Sequence, residues 1–568
     1  MTYRAPAANI EFTLSHVIGA DRLTETGKYG EATADLRMAI LTEAGKMAED
    51  VLAPLQRTGD LEGAKLENGV VRASPGYDQG YKAIREGGWV ALSAPEEFGG
   101  MGLPMILTTA VNEMMSSSCL SLSLNPLMTQ GQIDALEHHA SDEIKATYLP
   151  KLIEGSWTGT MNLTEPQAGS DVGALRSKAE PNDDGSYSVS GQKIYISWGD
   201  HDLAENICHL VLARLPDAPA GTKGVSLFIV PKLIPDENGE PGVANSLKPI
   251  SLEHKLGLHG SPTCVMQFDD AKGWMVGPEN GGMACMFTMM NNARLGVGVE
   301  GLGVAEAATQ KAVAYAMDRK QGRTPLGDKG TGAIIDHADV RRMLMTMKAL
   351  TSSSRSIALD TAFSIDMSKA TEDAAWAARA AFLTPICKAF STDIGNEVAH
   401  LGVQVHGGMG FVEETGAAQF SRDVRVTAIY EGTNGIQAMD LVGRKLMDGG
   451  EAGKALLGEI EANAFAAAND ALGVKVSAAA TQVAKATDWM LGTDTLNDRF
   501  AGAVPYLRAW GLLLGGHYLL KAAEADAAHL PLARFYISQL MPQIPALLAA
   551  ATAGAEQLYA LDAEVLSA

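Results

Sequence analysis

The spacing of apolar residues changes twice along this 568-residue chain. From about residue 30 to 160 apolar residues recur at helical spacing, for example from Leu36 to Leu55, whereas from about 161 to 275 they alternate with polar ones. After about residue 283 the helical spacing returns. Alternation suits a pleated strand and not a helix, so these changes predict helical, β and helical regions in that order. We therefore expect a mainly α protein with a central β domain.

The β region contains three short strand-like runs separated by Pro, Gly and Asp. They lie at residues 186–197, 207–212 and 225–230, and no helical pattern comes between them. Short strands joined without helices are typical of an antiparallel sheet or a small barrel. The sequence therefore predicts an antiparallel, barrel-like β domain.

Helical patterns follow the β region to the end of the chain. Met283 to Met317, Ala338 to Met367 and Ala374 to Gly402 each carry an apolar stripe, which antiparallel packing in a bundle would bury. From about residue 449 the pattern is Ala-rich and helical, with breaks expected near Gly492 and Pro505. These boundaries predict four domains: an N-terminal helical domain at 1–160, a central β domain at 161–282, a helical bundle at 283–448 and a helical extension at 449–568.

The net charge of −22 and the five cysteines argue against several functional classes. Nucleic-acid binding requires concentrated Lys and Arg, so we expect no nucleic-acid partner. The cysteines stand far apart without a C-x-x-C pair, which disfavours a disulfide framework or a zinc site and favours a reducing compartment. We interpret the pair His138–His139, at a helix end, as structural and expect no metal. No apolar run reaches about 18 residues and no leader pattern is present, which predicts a cytoplasmic protein without a membrane span.

A candidate base lies at residues 428–437. Glu431 follows an aromatic residue and precedes Gly432, and Thr433–Asn434 is a typical helix start. Glycine lets a ligand approach the backbone closely, and the first N–H groups of a helix point outward. Glu431 is therefore a candidate base beside a carbonyl-bearing or anionic ligand. The alternative is a solvated charge that the helix dipole favours.

Residues 296–301 match the pattern G-x-G-x-x-G, but we reject a dinucleotide-binding fingerprint. A helical, Met-rich segment precedes them, where the fingerprint requires a strand within a βαβ unit. Small residues that let two helices pack closely are the better interpretation.

The stretch at 162–173 is rich in groups that form hydrogen bonds. It reads Asn-Leu-Thr-Glu-Pro-Gln-Ala-Gly-Ser-Asp-Val-Gly and lies at the entry to the β domain. Such a loop is able to bind a ring carbonyl or a phosphate, although a turn-rich surface loop has the same composition.

This stretch resembles the T-E-P-x-A-G-S-D-x-G signature of the acyl-CoA dehydrogenase family, which wraps the isoalloxazine ring of FAD. The match runs from about residue 35 to 447, and the opening and the helical extension further resemble a branch with larger subunits. Four more family motifs follow in the family's order: Gly-Gln-Lys-Ile-Tyr-Ile-Ser at 191–197, Asp-Arg-Lys-Gln-Gly-Arg at 318–323, Val-Gln-Val-His-Gly-Gly-Met-Gly at 403–410 and Tyr-Glu-Gly-Thr at 430–433.

The resemblance implies which residues bind FAD. Ser197 stands where the family places a hydroxyl on flavin N5, and Tyr195 stands where the family usually has a tryptophan against the ring. A fixed cation and exposed glycines suit the diphosphate. The expected cofactor residues are Thr164 and Ser170 in the loop, Tyr195 and Ser197 at the ring, Arg319 and Gln321 at the diphosphate, Gln404, Gly407 and Gly408 reaching it from a neighbouring subunit, and Thr433.

The resemblance also implies the reaction. Glu431 corresponds to the base that removes the α-proton of an acyl-CoA thioester, while hydride leaves Cβ for FAD and a trans-2-enoyl-CoA forms. This proton is weakly acidic, so the base must be well placed and shielded from water. Asn291 stands where the family commonly has Asp. The expected substrate-binding residues are Ser170, Asn291, Arg294, Tyr430 and Gly432.

The substrate, electron acceptor and assembly are expected from the same resemblance. A short-chain acyl-CoA or 3-methylthiopropanoyl-CoA is the expected substrate, an electron-transfer flavoprotein the expected acceptor and a homodimer the expected assembly. Two alternatives are an acyl-CoA oxidase and a DNA-associated flavoprotein of the same fold, which the acidic C-terminal region disfavours. The methionines of the helix after 282 are interpreted as core packing, or as the lining of a compact acyl pocket that suits a thioether: Met283, Met286, Met289 and Met290.

Overall fold

A computed structural model describes residues 3–326 and 331–568 of the chain. Apart from the residues outside these ranges, the chain divides into two compact units. The first unit combines Tyr3–Thr42 with Val297–Ala568, and the second is Glu43–Gly296. The division into four domains therefore stays a prediction.

The structure is mostly helical with a β sheet in the middle of the sequence, as predicted. The helices of the described chain are α1 (Ala7–Phe12), α2 (Ala34–Met47), α3 (Leu55–Leu61), α4 (Tyr77–Glu86), α5 (Met105–His139), α6 (Asp142–Glu154), α7 (Gly282–Asp318), α8 (Ala338–Thr371), α9 (Ala374–His406), α10 (Ala417–Val424), α11 (Asn434–Asp440), α12 (Glu451–Ala466), α13 (Asp470–Gly492), α14 (Leu496–Ala525), α15 (Leu530–Phe535), α16 (Ile544–Ala551) and α17 (Ala563–Ser567).

The strands belong to the second unit. They are β1 (Lys65–Glu67), β2 (Val70–Arg72), β3 (Trp157–Asn162), β4 (Lys178–Pro181), β5 (Tyr187–Ser197), β6 (Asn206–Ala213), β7 (Ser226–Pro231), β8 (Leu233–Pro235), β9 (Pro241–Ala244), β10 (Leu247–Leu252) and β11 (Thr263–Val276).

The long helices confirm the helical periodicity read from the sequence, including the break between α13 and α14. Thr495 marks that break because its hydroxyl accepts a hydrogen bond from the N–H of Asp498 at 3.1 Å, which caps α14. The second break, expected at Pro505, was wrong: the proline lies inside α14. A proline removes one backbone hydrogen bond, but the turns around it bury Tyr506 and Trp510 completely, and this burial keeps the helix continuous.

Seven strands form one sheet in the order β3-β6-β7-β11-β5-β4, with β10 paired to β11. Strand β11 is the longest of the described strands, and it pairs with β5 through Thr263–Gly273, with β10 through Cys264–Phe268 and with β7 through Trp274–Val276. Its inward face packs Met266 and Phe268 against Val189 and Phe228. The sheet therefore holds the β5 segment that carries two of the expected flavin residues.

Two details of the predicted β domain need correction. Strand β3 pairs with β6 in parallel, not antiparallel, because the long connection at 163–205 returns the chain to the same end of the sheet. The described strands also do not close into a barrel. An isolated bridge joins the start of β4 to Arg214, the residue after β6. There the N–H of Arg214 donates to the carbonyl oxygen of Ser177 at 2.9 Å, and the N–H of Ala179 donates to the carbonyl oxygen of Arg214 at 2.8 Å.

A small hairpin, β1–β2, interrupts the region expected to be helical. Asn68 and Gly69 form its turn with φ angles of 51° and 79°. An Asn-Gly pair in the left-handed region is the strongest short-range signal for a hairpin, so the sequence carried this information.

The glycines of residues 296–301 lie in the middle of α7, which confirms close helix packing as their role. A Cβ on Gly298 would lie 2.9 Å from the sulfur of Cys387, and one on Gly301 would lie 2.5 Å from the carbonyl oxygen of Ser391, both on α9. In the described part of the chain, no helix has the length and the unbroken apolar surface needed to cross a bilayer.

Candidate functional site

Glu431 occupies a strained turn in the first unit. Its φ angle is 57°, and that of Gly432 is 80°, so two successive residues adopt the left-handed conformation. A left-handed glutamate costs on the order of 1–3 kcal/mol and persists only where neighbours hold it. Thr433 then caps α11, with its hydroxyl accepting a hydrogen bond from the N–H of Ile436 at 3.2 Å. The predicted helix start is confirmed.

Two buried side chains hold the backbone of this turn. Lys388 on α9 donates from Nζ to the carbonyl oxygen of Gly432 at 2.9 Å. Gln437 on α11 donates from Nε2 to the carbonyl oxygen of Glu431 at 3.1 Å. Because both donors are fully buried, the two carbonyl groups are fixed from inside the protein. The turn is therefore rigid at the position of the candidate base.

Asn434 ties the same turn to α9 a second time. Its Oδ1 accepts from Lys388 at 3.0 Å, and its Nδ2 donates to Asp393 at 2.7 Å. Burial raises the pKa of Asp393, and the bond from Asn434 opposes that rise. Lys388 was not singled out from the sequence, since nothing in the local pattern of α9 indicates a contact with residues 432–434.

The residue before the candidate base contacts a second carboxyl group. The hydroxyl of Tyr430 donates a short hydrogen bond to Oε2 of Glu300 on α7. Burial and the charge of Glu431 raise the pKa of Glu300 to about 8. Burial and the neighbouring Glu300 raise the pKa of Tyr430 well above its usual value. The sequence signal for Glu300 is an acidic residue within an otherwise apolar run of small residues, and sequence reasoning missed it.

In the second unit, one backbone bond joins the predicted flavin loop to β5. The N–H of Ile194 donates to the carbonyl oxygen of Thr164 at 2.9 Å. Tyr195 and Ser197 follow on the same strand, so the structure brings Thr164 together with these two ring residues. Ser170 lies further along the loop and is exposed.

Tyr195 has the properties expected of a residue that stacks on a ligand ring. Its φ angle of 61° is unusual for an aromatic residue, and its side chain is 61% exposed. The register between β5 and β11 shifts at this point, which marks a β-bulge. Bulges next to functional sites re-aim side chains. An apolar ring turned outward at such a bulge can cover a planar cofactor.

A buried ion pair supports the flavin loop. Lys193 on β5 donates to Oε1 of Glu165 at 2.8 Å, and both side chains are buried. Glu165 also accepts hydrogen bonds from the N–H groups of Arg176 at 2.6 Å and Ser177 at 3.0 Å. Burial alone would raise the pKa of Glu165, but Lys193 and these donors lower it to about 2. Glu165, inside the signature, is thus a structural anchor of the loop.

The residues expected to bind the diphosphate lie on two segments of the first unit. A contact between two aromatic rings joins these segments. Tyr315 of α7 stacks on His406 of α9 with ring centroids 4.4 Å apart. Arg319 follows α7 and is exposed, and Gln404 near the end of α9 is exposed as well. The structure therefore brings these two segments together. The remaining members of the set, all exposed, are Gln321, Gly407 and Gly408.

These residues fit the cofactor that the sequence implied. A Cβ on Gly407 or Gly408 would meet no heavy atom within 4 Å, so this backbone faces open space, and Gly407 has a φ of 60°. Gly169 in the flavin loop is open in the same way. An exposed arginine and an open glycine backbone are both groups that suit a diphosphate, and the glycines are expected to reach it from a neighbouring subunit.

Arg294 and Asn291 lie one turn apart in the part of α7 that belongs to the second unit. Nη1 of Arg294 donates to Oδ1 of Asn291 at 3.3 Å, and the guanidinium lies 5.8 Å from the ring centroid of Phe287. The two expected CoA residues are thus in contact with each other. The Tyr430–Thr433 turn belongs to the other unit.

Two of the methionines and one of the histidines considered from the sequence lie in structural surroundings. Met286 and Met289 are fully buried, which favours core packing. His139 bonds through Nε2 to the hydroxyl of Thr288 at 2.7 Å. The side chains of Asp134, Glu137 and His138 lie within reach of one ion, but they are a partly exposed cluster on one helix face and carry no further sign of a metal site.

Comparison with known proteins assigns the chain to a family. The models for the N-terminal, middle and C-terminal domains of acyl-CoA dehydrogenases match residues 36–156, 160–271 and 280–447. A further model, described as acetyl-CoA dehydrogenase C-terminal like, matches residues 456–562. The chain belongs to the acyl-CoA dehydrogenase family, whose members are FAD-dependent oxidoreductases.

One relative is similar over nearly its whole length. The chain is 47% identical to 3-methylmercaptopropionyl-CoA dehydrogenase of Ruegeria pomeroyi over 543 residues, which covers 93% of this chain and 92% of that protein.

Two solved structures share the fold at low identity. ACDH-11 of Caenorhabditis elegans, in complex with C11-CoA, aligns with a TM-score of 0.81 at 21% identity, covering 95% of this chain and 92% of that one. An acyl-CoA dehydrogenase from Bacillus anthracis, complexed with FAD, aligns with a TM-score of 0.75 at 19% identity, covering 100% and 94%.

Proposed function

We propose that this protein oxidises an acyl-CoA thioester to the trans-2-enoyl-CoA and that Glu431 is the base that removes the α-proton. The observation that carries the proposal is the strained turn at Glu431 and Gly432, held by the buried donors Lys388 and Gln437. Strain that the surroundings maintain is typical of a residue placed for chemistry. A solvated surface glutamate would need neither the strain nor the two donors.

Each residue of the turn has a separate task in this reaction. Glu431 accepts the α-proton as the C–H bond breaks, and the electron pair left at the α-carbon expels hydride from Cβ. Gly432 lets the thioester approach the backbone, which a Cβ would obstruct. Tyr430 orients the turn through its bond to Glu300. FAD, when bound, accepts the hydride equivalent.

The residues that would hold FAD are those that the family motif places there. Tyr195 offers an exposed ring surface, and Ser197 and Thr164 offer hydroxyl groups beside it. The residues proposed for the rest of the cofactor are Ser170, Arg319, Gln321 and Thr433, with Gln404, Gly407 and Gly408 contributed by a neighbouring subunit. The CoA part of the substrate is assigned to Ser170, Asn291 and Arg294.

We propose a short-chain acyl-CoA or 3-methylthiopropanoyl-CoA as the substrate. The support is the 47% identity to a relative named for 3-methylmercaptopropionyl-CoA over nearly the full length of both chains. An electron-transfer flavoprotein is the proposed acceptor. A homodimer is the proposed assembly, and Phe411, which is 90% exposed three residues after Gly408, supports a partner subunit on that surface.

The test is anaerobic reduction of the bound flavin. The purified yellow protein is mixed with 3-methylthiopropanoyl-CoA, butanoyl-CoA, octanoyl-CoA and palmitoyl-CoA, and loss of the flavin absorbance is followed. We expect Glu431→Gln to keep the spectrum of bound flavin. Its bleaching rate should be lower than that of the wild type by a factor on the order of 10²–10⁴. Glu461→Gln, an exposed carboxylate on α12, is the matched control.

Near-normal bleaching by Glu431→Gln would refute the base assignment. A strong preference for palmitoyl-CoA would refute the short-chain substrate. If oxygen reoxidises the reduced flavin faster than an electron-transfer flavoprotein does, the protein is an oxidase and not a dehydrogenase.

A further inference from the structure

A second buried carboxyl group belongs to the surroundings of Glu431. Glu300 lies on α7 with 1% of its surface exposed. One of its oxygens, Oε2, accepts the hydrogen bond from Tyr430. The other, Oε1, is buried and has no hydrogen-bond partner among the described residues. A buried carboxylate that carries a full charge on an oxygen without a partner is costly, so this group favours its protonated form.

The groups that face Glu300 come from two elements. Tyr430 and Glu431 lie on the turn before α11, and Lys388 lies on α9. The charge of Glu431 opposes ionisation of Glu300, whereas Lys388 and the Tyr430 hydrogen bond favour it. Two neighbouring carboxyl groups cannot both ionise easily, because their negative charges repel each other. The group whose charge is less well stabilised by its surroundings keeps the proton.

We propose that Glu300 is a positioning residue for Glu431: it anchors Tyr430 and retains the proton of the carboxyl pair, so that Glu431 is the member that ionises and accepts the α-proton. This rests on the proposed function of Glu431. The α C–H bond breaks and the O–H bond forms at Glu431, while Glu300 keeps its proton throughout.

The proton on Glu300 is measured first without any substrate. Infrared difference spectra of the FAD-bound protein between about pH 6 and pH 10 report the carbonyl stretch of a protonated carboxyl group as it disappears. We expect the wild-type protein to show such a band with a midpoint near 8 and Glu300→Gln to lack it. Glu451→Gln, an exposed carboxylate at the start of α12, should leave the band unchanged.

Two further variants test whether the midpoint of Glu300 shifts in the expected direction when a neighbouring group is changed. Glu431→Gln removes the charge that opposes ionisation, so the midpoint should fall by about one pH unit. Tyr430→Phe removes a hydrogen bond that favours ionisation, so the midpoint should rise. A midpoint that stays in place in Glu431→Gln, or a band that survives in Glu300→Gln, would overturn the inference.

Flavin bleaching then tests the role in the reaction. At neutral pH, Glu300→Gln mimics the protonated carboxyl group, and its flavin should bleach at a rate within about threefold of the wild type. Glu300→Met cannot accept the hydrogen bond from Tyr430, and its bleaching rate should be lower by about tenfold or more. Equal rates for the Gln and Met variants would mean that Glu300 only fills space.

The bleaching rate should also show a pH dependence that belongs to Glu300. Above pH 8 the wild-type rate should rise, because an ionised Glu300 makes proton capture by Glu431 more favourable, and Glu300→Gln should lack that rise. A rise of the same size in Glu300→Gln would overturn the inference. Failure of every acyl-CoA to bleach the wild-type flavin would refute the proposed function and this role with it. Normal bleaching without the infrared coupling would refute the role of Glu300 alone.

Discussion

Nζ of Lys388 lies 2.9 Å from the carbonyl oxygen of Gly432, to which it donates a hydrogen bond from a fully buried position. Lys388 belongs to α9, and Gly432 belongs to the turn that carries Glu431. The bond therefore transfers the rigidity of a long helix to the backbone next to the candidate base.

Replacing Lys388 with Met tests this support. The change keeps the length of the side chain but leaves the carbonyl group of Gly432 with only the longer bond from Nε2 of Gln437, at 3.4 Å. We expect this loss to cost about 1–3 kcal/mol of stability. We expect flavin bleaching by acyl-CoA to slow by about tenfold to a hundredfold, because the proposed base, Glu431, loses its fixed position. Lys485→Met, at an exposed position of α13, should change neither quantity. Equal bleaching rates in both variants would show that the turn holds itself.

Gly432 is the position at which a methyl group should be least tolerated. Its φ is 80°, and a Cβ there would lie 2.9 Å from Nε2 of Gln437. Gly432→Ala should lower the free energy of unfolding by about 1–2 kcal/mol and weaken acyl-CoA binding. The contrasting variant is Gly458→Ala inside α12, where a Cβ meets nothing within 4 Å and should stabilise the protein by about 0.5–1 kcal/mol. Chemical denaturation of the two variants, compared with wild type, measures both changes.

The effects of replacing Lys193 and Glu165 on the free energy of unfolding should be strongly coupled. Lys193→Met leaves the buried charge of Glu165 without its partner, and we expect a loss of about 3–5 kcal/mol together with a lower FAD content. The double variant Lys193→Met/Glu165→Leu removes both charges and should recover part of that stability. Thermal unfolding and the ratio of flavin to protein absorbance are the measurements. A double variant that is as unstable as the sum of both single variants would argue against a direct pair.

Glu165 should also contribute to acid unfolding. Its pKa of about 2 in the folded protein lies below the value of about 4.3 in an unfolded chain. A lowered folded pKa contributes stability that is complete above the unfolded pKa and is lost as the pH falls through the folded pKa. The contribution should thus fade between about pH 4.5 and pH 2. In Glu165→Gln the free energy of unfolding should fall less steeply over this window, by at most about 1.4 kcal/mol per pH unit. An unchanged slope would assign the acid sensitivity to other carboxylates.

The cysteines should react slowly in the folded protein. All five are buried and without disulfides: Cys119, Cys208, Cys264, Cys285 and Cys387. Burial raises the pKa of Cys264 and Cys387 to about 12, so little thiolate is present at neutral pH. We expect a colorimetric thiol reagent to react at least about tenfold more slowly with the native protein than with the protein in guanidinium chloride. Rapid native reaction of a single thiol would identify a local opening near that residue.

The sequence predicted the helices well where a long apolar stripe exists, as in α8 and α9. It failed at Pro505, because a local breaker was weighed without the burial of Tyr506 and Trp510 around it. It also missed the hairpin at Asn68 and Gly69, although an Asn-Gly turn is a local signal. The parallel pairing of β3 and β6 was beyond local reasoning, since the two strands are joined through 163–205 and pairing direction depends on how that connection returns.

The sequence by itself determined the order of the elements, the family motifs and the helix start at Thr433, because periodicity and capping act between residues that are neighbours in the chain. Only the tertiary structure decided what surrounds Glu431. Glu300 stands 130 positions before Tyr430. Lys388 lies on a different helix from the turn that it holds. Hydrogen bonds and charges act through space, so these contacts exist only once α7, α9 and α11 have packed together.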